Sequence, residues 1–258
     1  MKTDFLGVQV EMITCEGLID KVVEFAFSAK HRMITYFNAD CSNIAFQDTD
    51  YRRILNSLDI VYADGMSVVW GSRFLGRGVP ERVNILDFSE KIFNRLAAEK
   101  IKAYFLGSSE KIVYGVVEKL KTKFPSINIA GFHHGYFTAL EEENIIAEIN
   151  RLKPDILFVC MGVPKQEKWA FEHLKNLEVG LCWVTGSGMF DNFSGFKSSA
   201  PRWMGKVGLE WFYRLASEPR RLWKRYLIGN PFFIYRLMKY KIRGLSSGRT
   251  PEASVRSD

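Results

Sequence analysis

Along the first two-thirds of the chain, unbroken apolar runs rich in β-branched and aromatic residues alternate with stretches where apolar residues recur every three or four positions. The runs MITYFN (33–38), LDIVYA (58–63), KAYFLG (102–107), INIAGF (127–132), PDILFVC (154–160) and GLCWVTG (180–186) predict strands. Helical periodicity occupies 16–29, 41–56, 66–75, 86–99, 109–123, 140–152 and 165–177. Strands that are apolar on both faces and separated by helices belong to a parallel sheet covered on both sides. The expected fold class is therefore α/β, a Rossmann-like, mostly parallel sheet with helices on both faces. LGVQVEMIT near the start predicts an additional edge hairpin.

The pattern changes after about residue 195. Pro201, Pro219 and Pro231 are expected to break the remainder into three helical pieces, 202–217, 220–228 and 232–242. These pieces mix aromatic and basic residues, among them Trp203, Trp211, Phe212, Trp223, Tyr226 and Phe233. The expected organisation is a Rossmann-like core over 1–195, a basic helical C-terminal appendage over 196–243 and a disordered tail over 244–258.

Charge sharpens that division. The window from Lys197 to Arg243 holds twelve Lys/Arg against Glu210 and Glu218, a net +10, whereas the whole chain carries +7. The rest is therefore a mildly acidic body at −3, and the appendage is built for a polyanion. Its aromatic residues suit the interfacial belt of an anionic membrane better than nucleic acid, for which no binding motif is present. The remaining composition is ordinary for a folded protein, with 47% hydrophobic and 25% charged residues. No run reaches the roughly 18 apolar residues needed to span a bilayer, and no signal peptide is expected. Cys15, Cys41, Cys160 and Cys182 form no CxxC pair and are expected to be reduced thiols of a cytosolic protein.

Candidate chemistry sits where strands end. In VYADGM (61–66), Asp64 directly follows an apolar strand. It is either the N-cap of the next helix or a carboxylate facing a ligand at the carboxyl edge of the sheet. GSSE (107–110) and GSGMFDN (186–192) are turns of small residues where backbone N–H groups can approach phosphate. Neither fits G-x-G-x-x-G, a P-loop or a G-x-S-x-G nucleophile elbow. Lys165 at the start of a helix opposes the macrodipole, as expected if an anion binds nearby or if the turn is solvated. The DTD of 48–50 matches the metal-binding DxD of sugar-nucleotide enzymes in letters only, because it lies in a helical stretch. His133 and His134 lack a third ligand at useful spacing, so no metal site is expected.

Taken in order, YFNAD (36–40), YADGM (62–66), FLGSS (105–109), GFHHGYF (131–137), GVPKQEKW (162–169), TGSGMFDNFSG (185–195) and APRWMGKVGLEWFYRLASEPRRLWKRY (200–226) resemble the WecG/TagA/CpsF family of bacterial glycosyltransferases. The resemblance spans roughly residues 5 to 240. It implies inverting transfer of a sugar from a UDP-sugar to a polyprenyl-diphosphate-linked acceptor in cell-surface polysaccharide biosynthesis. It further implies a peripheral protein at the cytoplasmic membrane face, with no obligatory metal or other cofactor.

By the same resemblance, Asp64 is the general base, and Asn38, Tyr36 and Gln166 orient substrate. The backbone at Gly107 and Gly186, with Tyr136 and Asp191, holds UDP, while Arg214 and Arg221 meet the diphosphate, a role in which guanidinium can replace a divalent cation. The family often shows Thr-x-Asn at its first motif, whereas this chain reads Tyr36-Phe37-Asn38 with Thr35 one place back. Two other classes compete: a non-catalytic membrane or nucleic-acid binder, and a nicotinamide-dependent dehydrogenase, which lacks its glycine fingerprint here. A core whose apolar surface is meant for the appendage is also expected to self-associate away from a membrane.

Overall fold

The computed structural model describes residues 1–196 and 200–246. The chain opens with an antiparallel hairpin, β1 (Lys2–Phe5) and β2 (Val8–Glu11). Its two-residue turn is Leu6-Gly7, both at positive φ (55° and 88°), as a type I′ turn requires. The hairpin pairs outside the main sheet, as its own two-stranded unit. Then come α1 (Cys15–Ala26), β3 (Arg32–Phe37), α2 (Ala39–Gln47), α3 (Thr49–Ser57), β4 (Ile60–Ala63), α4 (Met66–Phe74) and α5 (Ile85–Ala98). The second half of the core is β5 (Lys102–Gly107), α6 (Glu110–Lys123), β6 (Asn128–His133), α7 (Ala139–Leu152), β7 (Ile156–Cys160), α8 (Lys165–His173), β8 (Leu181–Val184) and α9 (Ser187–Phe193).

The six core strands form one parallel sheet in the order β4-β3-β8-β7-β5-β6. All six match runs expected from the sequence. The central residues of β3, β4, β5, β7 and β8 are buried because both sheet faces are covered there, whereas edge strand β6 is only half-buried. Phe105 of β5 stacks on Phe158 of β7 with centroids 4.9 Å apart, and Trp183 of β8 donates its indole N–H to Tyr62 Oη at 3.1 Å. That bond satisfies two buried polar groups at once. All four cysteines are free thiols, and Cys41, Cys160 and Cys182 are buried.

Two expectations about helices change. The stretch expected as one helix over 41–56 is two, because Asp48 adopts an extended conformation and accepts from Tyr51 N at 2.9 Å, capping α3. In the tail, α10 (Arg202–Lys206) and α11 (Glu210–Ser217) are separated at Gly208, with φ +72°. α12 (Pro219–Trp223) continues through a π-helical turn at 224–228 into α13 (Gly229–Ser246). Pro231 does not interrupt this run. It is the third residue of α13, directly after the widened turn, where a missing N–H is tolerated. Residues 244–246 of the expected tail are the end of α13, and residues 247–258 lie outside the described residues.

The last helix is anchored in the core. Asn43 Nδ2 donates to Gly229 O at 2.8 Å, and buried Arg236 donates to Ser42 O at 2.8 Å and Asn43 Oδ1 at 3.1 Å, both from α2. Phe233 stacks on Phe5, and Tyr240 donates to Asp4, which also pairs with Arg77. The C-terminal helix thus closes onto the N-terminal hairpin. Among the described residues no helix is long and apolar enough to cross a membrane.

Candidate active site

Asp64 occupies the first position beyond β4. Its N–H donates to Phe37 O at 2.9 Å, which extends the pairing with β3 by one residue and fixes the backbone. Gly65, not Asp64, is the N-cap of α4, and no side chain caps that helix. The capping explanation for this carboxylate therefore fails, and its side chain faces a cleft instead.

That cleft, about 640 Å³, lies outside the carboxyl ends of β3, β4 and β8 under α11 and the π-helical turn. Six sequence-expected residues meet in its lining: Tyr36, Asn38, Asp64, Gly186, Asp191 and Arg214. Tyr36 and Asn38 come from the end of β3, Gly186 from the turn into α9, Asp191 from α9 itself, and Arg214 from α11. Arg214 Nη2 lies so close to Gly188 that a Cβ there would stand 3.3 Å away. Asn38 also caps α2, its Oδ1 accepting from Asp40 N at 3.0 Å and Cys41 N at 3.1 Å. Its amide nitrogen is the atom left to a ligand.

Three charged residues that the sequence did not single out, Arg82, Glu210 and Arg225, also line the cleft. Arg82, from the loop between α4 and α5, pairs with Asp87 and donates to Glu210 Oε2 at 2.9 Å, so it ties the core to α11. Arg225, in the π-helical turn, lies 3.2 Å from Asp40. Asn84 lines the cleft too and caps α5. No local motif flags Arg82 or Glu210, which are 128 positions apart.

Burial pushes the Asp64 carboxyl up to about 7; Glu210 and Asp87 raise it further, while Arg82 and Arg214 oppose them. Walls close around the group even though the cleft leaves it partly accessible. A carboxyl of this affinity is half ionised near neutrality, which is where a general base works best.

Behind the cleft, a buried network fixes Tyr36. Gln166 accepts from Met161 N (3.2 Å) and Gly162 N (3.1 Å) and donates to Tyr36 Oη (3.3 Å) and Glu167 Oε1 (3.0 Å). Thr35 Oγ1 also donates to Glu167 Oε1, at 3.2 Å. Tyr36, not Thr35, therefore presents the hydroxyl of the first motif to the cleft. Gln166 is fully buried and acts through Tyr36 instead of lining the cavity. Glu167 is likewise fully buried, its Oε2 has no hydrogen-bond partner, and burial raises its carboxyl to about 7 against the hydrogen bonds of Gln166 and Thr35.

The structure does not bring the other expected residues to this cleft. Gly107 has φ +141°, and a Cβ there would lie 2.1 Å from Cys160 O, so strand packing demands the glycine. Gly135 N donates to Ser108 O and Lys165 Nζ to Gly135 O, forming a separate loop cluster over β5, β6 and β7. Tyr136 stands on that cluster, 78% exposed. Arg221 is outside the lining and holds Glu218 through two bonds of 2.6 and 2.9 Å. Asp48 and Asp50 of the DTD pair with Lys168 and Arg53. The His133 Nδ1 lies 2.9 Å from His134 O. Among the described residues no group of three or more His, Cys, Asp or Glu is placed to hold a metal ion.

Comparison with known proteins adds a family match. The model of the glycosyl transferase WecG/TagA/CpsF family matches residues 3–247. A Bacillus subtilis (strain 168) protein named N-acetylglucosaminyldiphosphoundecaprenol N-acetyl-beta-D-mannosaminyltransferase is 34% identical over 200 residues, covering 76% of this chain and 75% of the relative. A Staphylococcus aureus (strain MW2) protein of the same name is 29% identical over 242 residues, 93% of both chains.

Proposed function

The chain belongs to the WecG/TagA/CpsF glycosyl transferase family, and from that premise we propose that it transfers an N-acetylmannosaminyl group from a UDP donor to an N-acetylglucosaminyl-diphosphoundecaprenol acceptor, with inversion and without a divalent cation. The observation that carries this reading is Asp64 itself. It is a strand-end carboxyl that caps nothing, sits in a cleft with Arg82, Arg214 and Arg225, and is raised to about 7. The transferred sugar and the acceptor class come from the names of the relatives, 29–34% identical over the matched residues, and the UDP carrier comes from the family resemblance.

In this reaction the acceptor hydroxyl attacks the anomeric carbon from the face opposite UDP. A carbon–oxygen bond forms to the acceptor as the bond to the β-phosphate oxygen breaks. The hydroxyl proton passes to Asp64, worth roughly 10² to 10⁴ in rate. The leaving diphosphate gains charge, which guanidinium groups at fixed positions stabilise; Arg214, beside Gly188, is the nearest candidate. Tyr36 and Asn38 present a hydroxyl and an amide to the sugar. Gly107, Tyr136 and Arg221, expected to bind nucleotide or diphosphate, lie outside the cleft lining, so the first assignment of UDP is to Gly186 and Asp191.

The appendage supplies the membrane side of the proposal. Its exposed basic residues, among them Arg220, Lys224, Lys239 and Arg243, and the exposed Trp203, Val207 and Phe212 suit the anionic inner leaflet, where each cation is worth about 1 kcal/mol.

The test is turnover of a panel of UDP-sugars with a lipid-diphosphate-GlcNAc acceptor in EDTA, wild type against Asp64→Asn. UDP release that persists in EDTA and drops at least about 100-fold in the variant is expected. Full activity of Asp64→Asn would remove the base, and no release with any donor would overturn the transferase assignment.

A further inference from the structure

A second cavity, of about 630 Å³, opens from the same Asp64 in another direction, between α4 and α13. Its inner end shares Asn38, Asp64, Arg82, Arg214 and Arg225 with the polar cleft. Beyond that end its walls are apolar: Trp70 and Phe74 from α4, Trp211 from α11, and Leu227, Phe233 and Ile234 from the last helical run. The floor lies at Gly71, where a Cβ would come 2.9 Å from the Phe5 ring and 3.4 Å from Leu237. The missing side chain lets α4 and α13 close beneath the groove. Trp70, Phe74, Leu227 and Ile234 on its rim remain exposed, and apolar residues gathered in one exposed groove mark a ligand or membrane site, as singly scattered ones do not.

A nucleotide-sugar would need only the polar cleft. The groove has a different chemistry, with cations and the Asp64 carboxyl at one end and an aromatic and aliphatic channel leading away. That is the complement of an amphiphile whose anionic diphosphate lies between a sugar and a long hydrocarbon chain. The wall formed by α4, nine residues long, extends about 13 Å, enough for the chain segment nearest the diphosphate but not for a whole polyprenyl tail.

We propose that the α4–α13 groove binds the diphosphate-proximal isoprenoid segment of the acceptor lipid, with the acceptor diphosphate at Arg82 and Arg225, Arg214 left to the donor, and the sugar hydroxyl at Asp64. This deepens the functional reading above and rests on its acceptor class. The remainder of the lipid leaves over the exposed rim of Trp70, Phe74, Leu227 and Ile234. Acceptor and donor then meet at Asp64 from separate cavities, so neither has to leave for the other to enter.

The experiment is photolabelling of the full-length protein in detergent with a diazirine-bearing farnesyl diphosphate, with labelled peptides mapped by mass spectrometry. Label is expected on α4 and α13, protected by unlabelled farnesyl diphosphate and not by phosphatidylglycerol. Ile234→Glu, an exposed position where a carboxylate would enter the groove, should cut labelling about tenfold, the equivalent of roughly 1.4 kcal/mol. Tyr235→Glu, about 100° round the same helix, should leave it unchanged. Label confined to other elements, equal protection by phosphatidylglycerol, or full labelling of Ile234→Glu would each overturn the assignment. Labelling does not depend on turnover. A protein labelled in the groove that transfers no sugar would retire the reaction and leave the groove, and sugar transfer without groove labelling would do the reverse.

Discussion

Replacing Glu210 with Gln takes a negative charge away from the neighbourhood of Asp64 and at the same time releases Arg82 from its 2.9 Å bond. Both changes favour the ionised form of Asp64, because Glu210 raises that carboxyl and Arg82 lowers it. A unit charge several ångströms away at an effective dielectric of about 20 is worth roughly 2 kcal/mol. In a cleft open to water the expected effect is about one pKa unit, or 1.36 kcal/mol. The midpoint should then move from about 7 to about 6. At pH 6 the ionised fraction rises from about 9% to about 50%, so kcat/KM should increase about fivefold, whereas at pH 8 both proteins are essentially ionised and differ little. The assay is kcat/KM for the lipid acceptor between pH 5 and pH 9, which reports the free enzyme's base. A midpoint that stays in place or rises in Glu210→Gln would refute this account of Asp64.

Three further outcomes follow from other parts of the structure. Glu167, fully buried and raised to about 7, holds a proton in the folded state that the unfolded chain has already lost. Stability should therefore decline as pH rises from about 4.5 to about 7, by at most roughly 3 kcal/mol. Urea unfolding of Glu167→Gln should show a shallower decline over that window, with Asp64 present in both proteins; equal slopes would refute it. Gly107→Ala should lower stability by at least about 3 kcal/mol or prevent folding, since the new Cβ meets Cys160 O, and an unchanged melting temperature would remove the close-approach argument. Co-sedimentation should find the protein on anionic vesicles and release it as salt rises from about 0.1 to 0.5 M. Equal binding to neutral vesicles would show that the charge of the appendage is not what holds it there.

The six core strands were legible because each is a continuous apolar run, and a buried parallel strand leaves no other pattern. The helix break at Asp48 was not, since a mid-helix Asp and a capping Asp look alike until the backbone turns extended. Proline was a poor guide in the tail: Gly208 makes the break by adopting positive φ, while Pro231 falls in a first turn that tolerates it. At the site, residues attached to strand ends could be read locally, as with Asp64 and Gly186, whereas Asn38 and Arg214 came from the family resemblance. Gly107 carried the same small-residue signal for a different cause, its carbonyl neighbour on β7. Arg82 and Glu210 were invisible because only the docking of α11 over the sheet puts them together. Arg225 was counted among twelve basic residues, and nothing in that count separates a membrane contact from a cleft wall.

The stacking of Phe5 on Phe233 and the bond from Tyr240 to Asp4 have a consequence for biosynthesis. Translation at about 5–20 residues per second makes Phe5 roughly ten to fifty seconds before Phe233 leaves the ribosome. Through that interval the hairpin and the underside of α4 lack their cover, and the cleft lacks Arg214 and Arg225. The nascent chain is thus an incomplete enzyme until α13 has been made, and a ribosome that stops short of α13 releases a product with an open apolar seam, marked for aggregation or quality control.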